Sequence, residues 1–305
     1  MPEAGDTRSN SDPTEAETVT EFDSADAFSL LGDETRLKTL TVLGDPSTET
    51  PMEFSELYQQ IDTEFTSGFS YHLNKLVPIF VSKTEEGYSL TTFGERVARA
   101  IVAGTFTNNC DLDWFPVDGT CLACTKRSLQ ASYVDEDFIV KCSACDERIV
   151  TIQVPPHLIR GRDPDEFIHR VSQWIYNWMR MSMSLVKHGI CDYCGGAVVS
   201  TVIDHVETYD RIDILLRFEC TNCGEIRRST VGALASLHPS VNAFLSQRGV
   251  PLQEQLYWEI ESVISDVNMD ILSEDPWRFQ VSFSADGDTC TLTINEEFEV
   301  VDISQ

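Results

Sequence analysis

Leu31-Gly32-Asp33-Glu34-Thr35-Arg36-Leu37-Lys38-Thr39-Leu40 and, further along, Phe69-Ser70-Tyr71-His72-Leu73-Asn74-Lys75-Leu76 are the two stretches that decide the fold of the N-terminal part of the chain. Apolar spacing in Ala27, Leu30 and Leu31, and again in Leu37, Leu40, Val42 and Leu43, predicts two short helices split at Gly32. Asp33 is the expected N-cap of the second, and Gly44-Asp45-Pro46 stops it. A third helix is expected over 54–61, with Leu57 and Ile61 turned inward. A fourth, over 67–77, places Phe69, Leu73 and Leu76 within one narrow arc at about 100° per residue. Ser67, Tyr71, Asn74 and Lys75 fall on its opposite face, with Ser70 and His72 on the flanks. Pro78 ends this helix. Residues 80–83 and 88–90 are expected to form a hairpin around Glu85-Glu86-Gly87, and a last helix to span 91–103.

Two packed helices closed by a hairpin are the pattern of a winged helix-turn-helix, in which one helix carries side chains into the DNA major groove. That domain is expected over residues 22–105. Residues 1–21 are polar and acidic and read as a solvated, disordered tail.

Downstream of residue 106 the character changes to short strands, Gly and paired cysteines. Eight of the ten cysteines form four Cys-x-x-Cys pairs: Cys121/Cys124 with Cys142/Cys145, and Cys191/Cys194 with Cys220/Cys223. Two turn-borne thiolate pairs joined by a hairpin supply the four sulfurs that tetrahedral Zn²⁺ requires. Two structural Zn²⁺ per chain are therefore expected, in ribbons at 106–160 and 190–235. Each could contribute on the order of 10 kcal/mol to folding. The second set continues into Gly195-Gly196 and Gly224, which permit a tight backbone approach, whereas Thr125 and Asp146 stand there in the first. Cys110 and Cys290 are expected to be ordinary buried thiols. Disulfides are disfavoured in the intracellular setting inferred below.

Between the ribbons, a broad apolar stripe runs through Phe167, Val171, Trp174, Trp178, Met181 and Leu185 and is widened by Ile168, Ile175, Met179 and Val186, so 161–189 is expected to be a long helix buried on more than one side. Residues 236–305 follow as a helical segment, begun near 231 and running to 247, and then period-two alternation from 256 to 303. That alternation includes a hairpin turning at Asp286-Gly287-Asp288. The fold class is thus α+β: an N-terminal winged helix-turn-helix followed by a zinc-ribbon-containing α+β region.

The formal net charge is −28, with six Lys against sixteen Arg, and the acid is spread along the chain. Such a surface suits molar salt, where the Debye length is about 3 Å and self-repulsion is screened. Salt also weakens phosphate contacts, so any DNA recognition would lean on base edges. Residues 65–84 carry Lys75 and Lys83 and no Asp or Glu. No apolar run reaches the roughly 18 residues of a membrane span, and the N-terminus is not a targeting segment. The expected location is cytoplasmic, without membrane partners.

Residues 22–105 resemble the winged-helix domain of the arsenic-repressor-like (ArsR) family. Leu-Gly-Asp-Glu-Thr-Arg-Leu at 31–37 is similar to one family signature, and Ser70-x-His72-Leu73-x-x-Leu76 to that of its recognition helix. With the Cys-x-x-Cys pairs behind it, the layout is similar to regulators of halophilic archaea. The resemblance implies that Ser67, Ser70, Tyr71, Asn74 and Lys75 face double-stranded DNA and that Lys83 reaches a phosphate from the wing. It also implies a homodimer with Phe28, Val97 and Ile101 near the interface. Three positions depart from the pattern. Glu56-Leu57-Tyr58-Gln59-Gln60 replaces the cysteine motif with which some members sense metals, Glu85 and Glu86 occupy the wing tip, and Ile79 replaces a Gly after the recognition helix.

The function expected from these features is sequence-specific transcriptional regulation, not enzymatic, with a C-terminal region that binds a small effector or the transcription machinery. A winged helix joined to a zinc ribbon also resembles general transcription factor E of archaea, which contacts RNA polymerase. A Cys-x-x-Cys redox or metal enzyme is a third alternative. No catalytic His/Glu constellation accompanies the cysteines, which counts against it.

Overall fold

A computed structural model describes residues 23–61, 65–104, 110–206 and 211–305. The chain forms two compact units with their boundary between Phe106 and Thr107. The acidic segment 1–21 lies outside the described residues. Among the described residues the architecture is mixed α+β, and no helix is long and apolar enough to cross a membrane.

In the first unit, α1 (Ser24–Leu30) and α2 (Glu34–Leu43) are divided at Gly32. Asp33 caps α2 by accepting the Arg36 N–H at 3.1 Å. α3 (Phe54–Gln60) and α4 (Thr66–Leu76) follow, then the antiparallel hairpin β1 (Val81–Lys83) and β2 (Tyr88–Leu90), and α5 (Thr92–Ala103), capped by Thr91. α2 packs against α3, α4 and α5. The shared core includes Leu40, Leu57, Phe69, Leu73 and Leu76, all fully buried. Each such side chain contributes roughly 1.5–3 kcal/mol of burial.

The two motifs that stand out in the sequence meet here. Asp33 Oδ1 lies 3.2 Å from His72 Nδ1, and an Arg36 terminal nitrogen lies 3.4 Å from the same ring atom. Arg36 Nε also donates to the Leu30 carbonyl. One cluster therefore ties the end of α1, the start of α2 and the flank of α4.

The second unit opens with an antiparallel meander, β3 (Leu112–Pro116), β4 (Leu129–Val134), β5 (Asp137–Cys142) and β6 (Arg148–Gln153). α6 (Pro164–Val186) begins at the Asp163 N-cap, with proline where the missing N–H costs nothing. A three-stranded sheet follows: β7 (Val198–Asp204), β8 (Ile214–Cys220) and β9 (Ile226–Ser229). Then come α7 (Val231–Ser236), α8 (Pro239–Gln247) and α9 (Glu261–Ile264). The unit closes with a second four-stranded meander, β10 (Met269–Glu274), β11 (Trp277–Ala285), β12 (Asp288–Ile294) and β13 (Val300–Ser304). Phe138, Phe167, Phe218, Trp258 and Phe279 belong to one continuous core. The segments 106–160, 161–189, 190–235 and 236–305 thus share a single interior.

Four local expectations need correction. The helix read over 231–247 is two helices, because Pro239 cannot continue α7, and His238 Nδ1 caps α8 by accepting the Ser240 N–H at 3.2 Å. The alternation read from 256 begins only at Met269, since 257–264 forms short helical turns that bury Trp258, Val263 and Ile264. On α6, Phe167, Val171, Ile175 and Val186 of the expected stripe are buried and Tyr176 and Met183 join them, but Met181 is 59% exposed. Cys290 is buried as expected, but Cys110 is half-buried.

Candidate metal centres and an exposed helix face

Each Cys-x-x-Cys pair sits on a tight turn of one repeated design. The N–H of the residue after the second cysteine returns to the carbonyl of the first: Thr125 to Cys121 at 2.8 Å, Asp146 to Cys142 at 2.9 Å, Gly195 to Cys191 at 2.9 Å and Gly224 to Cys220 at 3.1 Å. The first cysteine's own N–H closes the turn onto a carbonyl five residues on, as from Cys191 to Gly196 at 2.8 Å. The returning residue must adopt the left-handed conformation, and all four do, at φ of 59° for Thr125, 63° for Asp146, 74° for Gly195 and 76° for Gly224. Thr125 and Asp146 thus hold the glycine geometry without being glycine.

The hairpin β4–β5 brings the first two turns together, and β7–β8 the second two. In each set the four Sγ atoms lie within 4.8 Å of one another, and all eight thiols are free of disulfides. Measured separations are 3.7 Å for Cys121–Cys145, 3.6 Å for Cys124–Cys142, 3.8 Å for Cys191–Cys223 and 3.5 Å for Cys194–Cys220. A tetrahedron with metal–sulfur bonds of about 2.3 Å has edges of about 3.8 Å. Both sets therefore have the donors and spacing to hold one metal ion each.

Electrostatics points the same way. Burial raises the Cys142 thiol, but hydrogen bonds from Ser128 Oγ and from the Ala144 and Cys145 N–H groups outweigh it and bring it to about 6. The Asn222 side chain and the Gly196 N–H bring Cys194 to about 6 as well. Cys145 and Cys223 each receive a lowering backbone hydrogen bond, from Glu147 and Glu225 respectively. Desolvation and the three neighbouring sulfurs nevertheless push both up to about 12. One thiolate per cluster forms readily and further negative charge is repelled, a conflict that a cation at the centre removes.

Among the glycines of the cysteine turns, Gly196 has the least room: a Cβ would lie 3.2 Å from both Cys194 Sγ and Cys220 Sγ and 2.7 Å from the Asn222 Cβ. Behind this cluster, buried Asp192 accepts from Ser182 Oγ of α6 at 2.7 Å and from Arg227 Nε of β9 at 2.9 Å. The Arg227 guanidinium lies 5.0 Å from the Trp178 ring centroid, and Trp178 stacks on Trp174. Spacing alone identifies the eight cysteines. It gives no hint of Ser128, which meets Cys142 Sγ across the hairpin, or of Arg227, which holds Asp192 within the Cys191/Cys194 turn.

In the first unit, Phe69, Leu73 and Leu76 turn α4 inward, leaving Ser67, Tyr71, Asn74 and Lys75 exposed and Ser70 half-buried. Asn74 Nδ2 donates to Ser70 Oγ at 3.5 Å, and Lys75 Nζ sits 5.6 Å from the Tyr71 centroid. Lys83 pairs in register with Tyr88 on the hairpin and lies over its ring, next to exposed Glu85 and Glu86.

A family model described as a domain of unknown function (DUF7351) matches residues 118–300, and a second such model (DUF7347) matches residues 24–101. No curated protein and no solved structure matches the chain.

Proposed function

The chain belongs to the family of the domain of unknown function DUF7351, whose model spans more than half of it, and we infer that it is a DNA-binding transcription regulator with two structural zinc ions. In this reading the first unit is a winged helix-turn-helix and α4 is its recognition helix. The observation that carries it is the outer face of α4. In a chain of net charge −28, this helix bears no carboxylate, buries its apolar arc completely and presents Tyr71, Asn74 and Lys75 to solvent. Asparagine and lysine are side chains that read base edges in the major groove.

Zinc is the ion that best suits four thiolates at tetrahedral spacing, although iron takes the same donors. Its chemistry here is structural, since four sulfurs fill the shell and leave no open position for a substrate. The chain's own part is to hold the sulfurs with backbone N–H donors and to fix the hairpins they close. Phe28, 74% exposed on α1, and Val102, 58% exposed on α5, supply apolar surface for a homodimer near Val97 and Ile101.

Mapping bound DNA across the genome of the native high-salt cell, followed by titration of the enriched sequence with purified protein, tests the reading. A two-fold-symmetric site bound near molar salt is expected. A monomer that co-purifies with RNA polymerase and ignores such sites would overturn it. Elemental analysis should return two zinc ions per chain, and a coloured ferric protein would replace zinc by iron.

A further inference from the structure

The second unit also contains a cleft of about 670 Å³ between β3, the start of β4 and the first turns of α6. Small-molecule sites occupy roughly 300–1,000 Å³. Trp114 and Phe115 both line it, and both are held. Lys141 Nζ lies 4.4 Å from the Trp114 centroid, and Phe115 meets buried Phe167 edge-on at 5.8 Å. The loop on the rim is fixed by Trp258 Nε1, which donates to the Asp118 carbonyl at 2.9 Å.

The polar groups are arranged by sign. The sheet side offers Asp118 and Arg127, and α6 offers Asp165 and His169 one turn apart. Each side thus pairs a carboxylate with a nitrogen donor. The Arg127–Asp118 separation is 3.9 Å with both side chains mostly exposed, a loose pair that a ligand can open. Among the described residues, neither the His169 nor the Gln130 side chain has a hydrogen-bond or ion-pair partner. A simple anion would face Asp118 and Asp165, and a simple cation would face Arg127. A small zwitterion satisfies both signs and leaves an apolar body for Trp114 and Phe115.

We propose that this cleft binds a free α-amino acid with an aromatic or branched side chain. Arg127 takes the carboxylate, the Asp118 and Asp165 carboxylates take the ammonium, and the side chain lies on Trp114 and Phe115. Ser128, which lines the cleft, lies 3.2 Å from Cys142 Sγ, so the site borders the first cysteine cluster. The proposal stands on the second unit alone, and its test uses no DNA, so it fails or holds independently of the regulator reading.

The test is isothermal titration of the full-length, zinc-loaded protein in concentrated KCl with L-phenylalanine and L-leucine. 3-Phenylpropionate and phenethylamine serve as single-charge analogues. Saturable binding of at least one amino acid is expected, with both analogues weaker by about tenfold or more. Arg127→Gln and Asp118→Asn should each weaken it by about tenfold while leaving far-UV circular dichroism and the melting temperature unchanged, since both side chains are exposed. No heat from either amino acid up to about 10 mM would overturn the proposal. So would analogues that bind as tightly as the amino acid, or affinity unchanged in the Arg127→Gln/Asp118→Asn double variant.

Discussion

Thr125 and Asp146 hold the left-handed turn positions that Gly195 and Gly224 hold in the other cluster, and this asymmetry has a measurable consequence. A side chain in that conformation costs roughly 1–2 kcal/mol, part of which glycine returns through its larger unfolded-state entropy. Thr125→Gly should therefore stabilise the metal-loaded protein by about 0.5–1 kcal/mol, and Gly195→Val should destabilise it by about 1–3 kcal/mol, both read by chemical denaturation. Destabilisation by Thr125→Gly, or no loss from Gly195→Val, would show that the turns do not share one strained geometry. On α4, Asn74→Ala should cost about 1–3 kcal/mol of specific DNA affinity without changing the fold. Unchanged affinity of both Tyr71→Ala and Asn74→Ala near molar salt would rule out α4 as the reader. At this scale the cysteines were legible because metal chemistry dictates their spacing. Ser128 and Asn222 were not, because an N–H or O–H aimed at sulfur is a property of the folded turn.

At the scale of elements, the clasp between α2 and α4 rests on one carboxylate with two tasks. Asp33 caps α2 and meets His72 across the helix pair, with Arg36 at the same imidazole nitrogen. Asp33→Ala should cost about 1–2 kcal/mol, with part from the cap and part from the lost partner of His72. His72→Ala should cost less, and the Asp33→Ala/His72→Ala double variant should fall short of the sum, because the two groups share one contact. Strict additivity in denaturation of the full chain would mean that the contact carries no energy. The same elements show what periodicity can and cannot convey. α2, α4 and α6 were readable because capping residues and apolar arcs agree with one another. Residues 257–264 were not, because Leu256, Trp258, Ile260 and Ile264 fall on alternate positions as in a strand, and only the surrounding core settles it. On α6, Met181 belongs to the apolar stripe yet faces solvent, while Tyr176 and Met183, outside the stripe, are buried. Width of an apolar stripe does not tell which edge of it is covered.

For the whole molecule, the two units differ in what holds them. The first has an ordinary core and contains neither cysteine cluster, whereas the second threads both clusters into one interior that also carries Trp258 and Phe279. A domain's net stability is about 5–15 kcal/mol, and a thiolate zinc site contributes on the order of 10 kcal/mol, so with zinc in both clusters the second unit is expected to unfold when the ions are removed. The charge of −28 adds a second dependence, since self-repulsion within each unit grows as salt is removed. Calorimetry should then separate the two effects. Lowering KCl from molar to about 0.1 M, where the Debye length is about 10 Å, should shift the melting of both units downward. A strong chelator in molar KCl should abolish the transition of the second unit and leave that of the first near its original temperature. Zinc added back should restore it, because the hairpins re-form around the metal. Identical melting of metal-free and metal-loaded protein would show that the sulfurs hold no ion that matters to the fold.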